Sequence, residues 1–130
     1  MAFPWKIRPF FTNWRVSFGQ TIDGVDVDVV QGQTQSGMIG TLYFDQKTHL
    51  LRRYIRYANT VVGRIPTQVD YSDYRPVAGV MMPFKYSYAW VSERDDWTFT
   101  SYTPNVAIDD ARFGRPDPKT AGDVQGRKAK

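Results

Sequence analysis

Along Ile65 to Val91 apolar and polar positions alternate with a period of two, once in each direction from a proline-glycine stretch. Ile65, Thr67, Val69 and Tyr71 share one side of a first arm, with Gln68, Asp70 and Ser72 on the other, as in a half-buried strand. In the second arm Phe84, Tyr86, Tyr88 and Trp90 alternate with Lys85, Ser87, Ala89 and Val91, which puts four aromatic rings on one face. The pattern predicts a β-hairpin. Its turn is read at Arg75-Pro76-Val77-Ala78-Gly79 and expected to be longer than two residues, with Pro83 at the start of the second arm or at an edge position.

The same period recurs upstream. Trp14, Val16 and Phe18 mark a short strand continuing to Thr21, and Asp23-Gly24 is a two-residue hairpin signal leading into Val25 to Gln31. Gln31 to Gly37 reads as a polar loop. Met38 to Asp45 is a strand with Leu42 and Phe44 opposite Ile39, Thr41 and Tyr43, and Gln46 to His49 turns it back. Leu50 to Tyr57 follows, with Leu51, Arg53, Ile55 and Tyr57 on one side and Leu50, Arg52, Tyr54 and Arg56 on the other. These arginines could grip a carboxylate or phosphate, or solubilise an exposed sheet face with their stems laid over the tyrosines. After a turn at Asn59 to Gly63 comes the central hairpin, then a charged loop at Ser92 to Asp96 and a strand at Trp97 to Thr103. In that strand Trp97 and Phe99 face the four rings. Asn105 to Phe113 holds a helical turn that packs Phe113.

About seven or eight strands joined by short loops, with no helical period long enough for a crossover, predict an all-β antiparallel meander. Because several strands are apolar on both faces, the sheet should curve into a half-barrel or open barrel with at most one short C-terminal helical turn. The organisation expected is an aromatic leader at 1–13, one β-domain at 14–113 and a disordered basic tail at 114–130. With 130 residues there is room for one domain.

Composition removes several function classes. Cysteine is absent, so there is no disulfide framework, thiolate metal site or cysteine nucleophile, and His49 is the sole histidine; no metal and no cofactor is expected. Net charge is +4, yet five basic against two acidic residues lie between Arg115 and Lys130, leaving the body almost neutral and without a nucleic-acid-binding face. Asp23, Asp26 and Asp28 lack the loop grammar of a calcium site. Met1 to Phe11, broken by Pro4 and Pro9, does not read as an export signal, and no segment approaches a membrane span. Carboxylate chemistry could come only from Asp70 with Asp73 or Asp95 with Asp96, so no enzyme activity is expected.

Leu42-Tyr43-Phe44-Asp45, Lys47 to Leu51, Pro66 to Tyr71, Val77 to Phe84, and Pro104-Asn105-Val106 with Phe113 together resemble the C-terminal part of LolA/LolB-like bacterial outer-membrane lipoprotein-sorting proteins. The similarity is to domains of this type that also follow cytochrome c regions in some bacterial proteins, although no Cys-x-x-Cys-His for haem is present. The resemblance implies a curved antiparallel sheet, a periplasmic setting and an apolar concavity for a lipid, a lipoprotein acyl chain or a partner. The expected function is therefore non-enzymatic binding. Phe84, Tyr86, Tyr88, Trp90, Trp97 and Phe99 are the candidate ligand-binding residues. The alternative is a structural module of a larger exported protein whose aromatic face or sheet edge is covered by another domain or a second copy. Deleting Arg115 to Lys130 should shift the melting temperature by no more than a degree or so; a large fall in a thermal melt would show that the segment docks.

Overall fold

The computed structural model describes residues 7–114, so the expectations for the first six residues and for the basic tail lie outside the described residues. Within them the chain is one eight-stranded antiparallel sheet that does not close. A single helical turn, α1 (Ile7–Phe10), precedes β1 (Thr12–Val16), β2 (Gln20–Ile22), β3 (Val25–Gln33), β4 (Ile39–Asp45), β5 (Leu51–Thr60), β6 (Gly63–Val77), β7 (Val80–Trp90) and β8 (Glu93–Thr98). The strand order is β1-β3-β4-β5-β6-β7-β8, with β2 also pairing β3. The expected all-β open meander is what the chain forms. A 3₁₀ turn at Asp110–Phe113 falls where a C-terminal turn was expected, but Phe113 is 77 % exposed and not packed. The helical turn α1 was not expected, and the sheet begins at Thr12, inside the stretch read as leader.

Several loops are tighter than their composition suggests. Ala78 and Gly79 have φ of 47° and 83°, the pair of positive values of a type I′ turn, so Val77 pairs directly with Val80. Pro76 is therefore a strand residue opposite Met81, not part of a long loop. Pro66, Pro76 and Pro83 all lie inside strands, each on a stretch with one neighbour: β7 pairing starts at Thr67, β5 pairing ends at Asp70, and β8 reaches only as far as Lys85. A proline there leaves no ladder bond unmade. The charged segment Glu93 to Asp96 is likewise β8 itself, an edge strand, with Val91 and Ser92 as the turn. Charge on an exposed edge opposes pairing with another chain.

Residues opposite one another in an antiparallel ladder share a face, so the register can be read across the sheet. One rung runs Gly32, Gly40, Arg56, Thr67, Trp90, Glu93, and the next Val30, Leu42, Tyr54, Val69, Tyr88, Asp95. Both belong to the inner face, where Phe11, Leu42, Leu51, Tyr54, Val69 and Tyr71 form the buried cluster. The β4–β5 register shifts between Tyr43 and Phe44, so that Tyr43 pairs Arg53 but Phe44 pairs Leu51. This bulge brings Leu51 to the same side as Tyr54, although strict alternation opposes them. Arg52 and Arg53 are left outside and Arg56 inside, which corrects the expected division of the arginines.

Phe11 is the wedge at one end of the inner face. Its ring lies on the cross-strand pair Gly32 and Gly40: a Cβ at Gly32 would meet Phe11 Cβ at 2.7 Å, and one at Gly40 would meet Phe11 Cζ at 2.5 Å. Only glycine admits that approach. Trp14 and Tyr54 pack edge-on to the ring, with centroids 5.3 and 6.5 Å away, and Phe11 is 4 % exposed. Gly40→Ala should cost about 1–3 kcal/mol by overpacking and Phe11→Ala about 3–5 kcal/mol by leaving a void. In urea unfolding the double variant should lose clearly less than the sum, because the two share one contact.

Candidate functional site: an apolar groove on the inner face

Beyond Phe11 and Ile7 no further layer among the described residues covers the inner face. There the sheet encloses a groove of about 800 Å³, within the ordinary range of small-molecule sites. β7 supplies Tyr86, Tyr88 and Trp90, β8 supplies Trp97, and Phe99 follows it. Five of the six residues expected at the site thus line one groove. Tyr86 is central: its ring meets those of Tyr71 and Phe99 edge-on, each at 5.3 Å, and Tyr88 and Trp90 lie 5.2 Å apart. Trp97 is 57 % exposed and Phe99 38 %, so the β8 side is an open rim.

Phe84 departs from the expectation, being buried outside the groove wall. Its ring packs at 4.9 Å against Tyr102 and lies 4.5 Å under the Arg75 guanidinium. The cause lies across the ladder. Asp73 adopts φ of 53°, a left-handed conformation uncommon outside glycine, and beyond it Tyr74 and the opposite Pro83 take the groove side. Alternation counted from Tyr86 back to Phe84 misses that reversal.

The opposite wall was not assembled from the sequence. It comprises Phe44, Leu51, Val69, Tyr71 and Tyr74, with Met81 and Met82 closing the hairpin end and Ile7 reaching in from α1. The period-two patterns of β4 and β6 carried this signal, because Phe44, Val69 and Tyr71 were already on apolar faces. Methionine suits such a wall because its flexible thioether conforms to irregular apolar surfaces.

Polar groups inside the groove are few. The Tyr74 hydroxyl donates to the Leu51 carbonyl at 2.6 Å, fastening β6 to β5 under the groove floor, and Tyr102 donates to the Pro83 carbonyl at 2.9 Å. Burial pushes the Tyr71 and Tyr74 hydroxyls well above the ordinary tyrosine range. His49 and Asp95 stand among the lining residues, and the exposed Asp95 sits on the edge strand.

The other face carries the buried Val27 and Val29 on β3 and is polar over β6 and β8. Arg53 and Asp70 are ladder partners joined by two hydrogen bonds, one from Nη2 to Oδ2 at 3.3 Å and one from Nε to Oδ1, and Gln68 Nε2 donates to the same carboxylate at 2.8 Å. Asp73 accepts from Arg75 at 2.9 and 2.7 Å, which holds its carboxyl below the usual range. Asp70 and Asp73 are therefore each engaged by an arginine. Asp95 and Asp96 alternate along β8, Asp95 at the groove and Asp96 lining the depression on the polar face. Among the described residues no group of three or more His, Asp or Glu is placed to hold a metal ion, and no helix is long and apolar enough to cross a membrane.

Comparison with protein-family models, with curated proteins and with solved structures found no match.

Because the folded state favours neutral Tyr71 and Tyr74, their contribution to stability is complete below the unfolded-state pKa near about 10 and is lost as pH rises through the higher folded-state values. Denaturant unfolding should be insensitive to these groups up to about pH 10 and weaken above it. Tyr71→Phe should flatten that alkaline fall; an unchanged slope would show that the ring does not sit dry in the groove wall.

Proposed function

We propose that this chain is a non-enzymatic binding domain whose curved sheet holds a single apolar ligand, an acyl chain of a lipid or lipoprotein. The supporting observation is the groove: about 800 Å³, open along one edge and walled almost wholly by aromatic, aliphatic and methionine side chains. An apolar chain laid against them removes surface from water at roughly 25 cal/mol per Å², and the ring edges and faces accept an alkyl chain without requiring a fixed register. A periplasmic setting and a relationship to lipoprotein-sorting domains are part of this proposal, carried by the resemblance of the strand and turn segments.

A second reading has its own support. Trp97 at the rim is 57 % exposed, and Val106 and Ile108, later in the chain, are 55 % and 50 % exposed, apolar side chains that another domain or a second copy could cover. The two readings differ in solution. With an acyl-chain ligand the protein is monomeric and binds an apolar fluorescent probe; with a second copy it self-associates in sedimentation and probe binding falls as concentration rises.

Tyr88→Ala and Trp90→Ala should weaken binding of a fluorescent fatty-acid probe about tenfold while lowering stability less than Leu42→Ala, which empties a fully buried position. If both variants lose as much stability as Leu42→Ala and the monomeric parent binds no probe, the rings are ordinary core and the reading is wrong.

A further inference from the structure

The groove reading leaves one inner-face side chain without a role. Arg56 belongs to the rung Gly40, Arg56, Thr67, Trp90, one rung beyond Tyr54, Val69 and Tyr88, so it stands beside the Trp90 end of the groove, two strands from Trp90 and outside the side chains that line it. Its neighbours there are apolar or uncharged: Thr67 is buried, Gly40 has no side chain, and the Phe11 ring covers Gly40. Arg56 Nε is buried and has no hydrogen-bond partner, and the side chain forms no ion pair among the described residues. Arg53, three positions earlier on the same strand, is fully engaged by Asp70 on the outer face. A buried guanidinium nitrogen without an acceptor is costly, and charged groups so placed are ordinarily paired. The carboxylates on the inner-face rungs, Glu93 and Asp95, stand on exposed β8 at the far edge, across β6 and β7 from Arg56.

Resting on the acyl-chain reading, we infer that Arg56 anchors the head group of the ligand and that the ligand is a single-chain lipid with an anionic head, a carboxylate or a phosphate. A guanidinium offers such oxygens paired N–H donors in a fixed fork. The head lies at the Trp90 rung and the tail runs beside Tyr88 and Tyr86 toward Pro83, a path of roughly 23 Å at about 3.3 Å per strand residue. That path accommodates an extended long-chain acyl tail. Glu93 and Asp95 stand at this same end on the β8 edge, paired with Trp90 and Tyr88, so they keep an anionic head away from β8 and on the Arg56 side of the sheet.

The test is competition for the fluorescent fatty-acid probe by three ligands with one tail: palmitate, hexadecyl phosphate and hexadecanol. The parent should bind at least one of the two anions ten or more times more tightly than the alcohol, and which anion is preferred separates the carboxylate source from the phosphate source. Arg56→Gln should abolish that preference while leaving hexadecanol binding unchanged, and Arg56→Lys should restore part of it. Unchanged hexadecanol binding by Arg56→Gln also reports that the variant is folded. Equal binding of all three ligands by the parent, or a preference that survives in Arg56→Gln, overturns the anchor and leaves the groove reading intact. Failure of the parent to bind any of the three overturns both.

Discussion

The structure depends on one constraint: a single sheet that curves but does not close has an inner face that nothing else in the described chain covers completely. An eight-stranded antiparallel layer buries its apolar side only where another layer meets it. Here the second layer is minimal. Phe11 and Ile7 cover one end, Phe11 by seating its ring on two glycines that face each other across β3 and β4. Everything between that wedge and the β6–β7 hairpin tip stays open, and the aromatic rungs that would fill a closed barrel become the walls of a groove.

The sheet divides its chemistry between its two faces, and local irregularities in the backbone do the dividing. The bulge at Arg52 and Arg53 turns two arginines outward and brings Leu51 in beside Tyr54. The left-handed Asp73 turns Tyr74 and Pro83 inward and leaves Phe84 packed under Arg75 and Tyr102. Polar pairing then concentrates outside, as in Arg53 with Asp70, while the inside keeps one arginine with an unpartnered nitrogen. An inner face with a long apolar run and, among the described residues, Arg56 toward one end goes with those two departures from strict alternation.

The fold was legible wherever the period-two pattern and a turn dipeptide agreed. Asp23-Gly24 and the pairing of Thr67 to Tyr71 with Tyr86 to Trp90 appear in the structure as read. What escaped had physical reasons. Glu93 to Asp96 looks like a loop because acidic residues are poor strand formers, yet an edge strand tolerates them and is protected by them. Pro76 looks like a turn residue, yet a strand with one neighbour accommodates it. Leu50-Leu51-Arg52-Arg53-Tyr54 carries no mark of its bulge, since the extra residue is visible only against the partner strand. Five of the six expected groove residues were found because they follow one regular ladder, and Phe84 was misplaced because the ladder turns over at Asp73. Gly32 and Gly40 are inner-face positions without a side chain, but only the register shows that the two glycines meet and leave room for a ring.

The central claim, that an acyl chain lies against the rings of β7 and β8, can be tested by tryptophan fluorescence with a brominated fatty acid, because bromine quenches indole only at contact range. Trp90 and Trp97 line the groove, whereas Trp14 packs against Phe11 away from it. The account predicts saturable quenching that is largely lost in the doubly substituted Trp90→Phe, Trp97→Phe protein even though that protein still binds the lipid. Absence of quenching in the parent, or quenching that persists undiminished in the substituted protein, would contradict it.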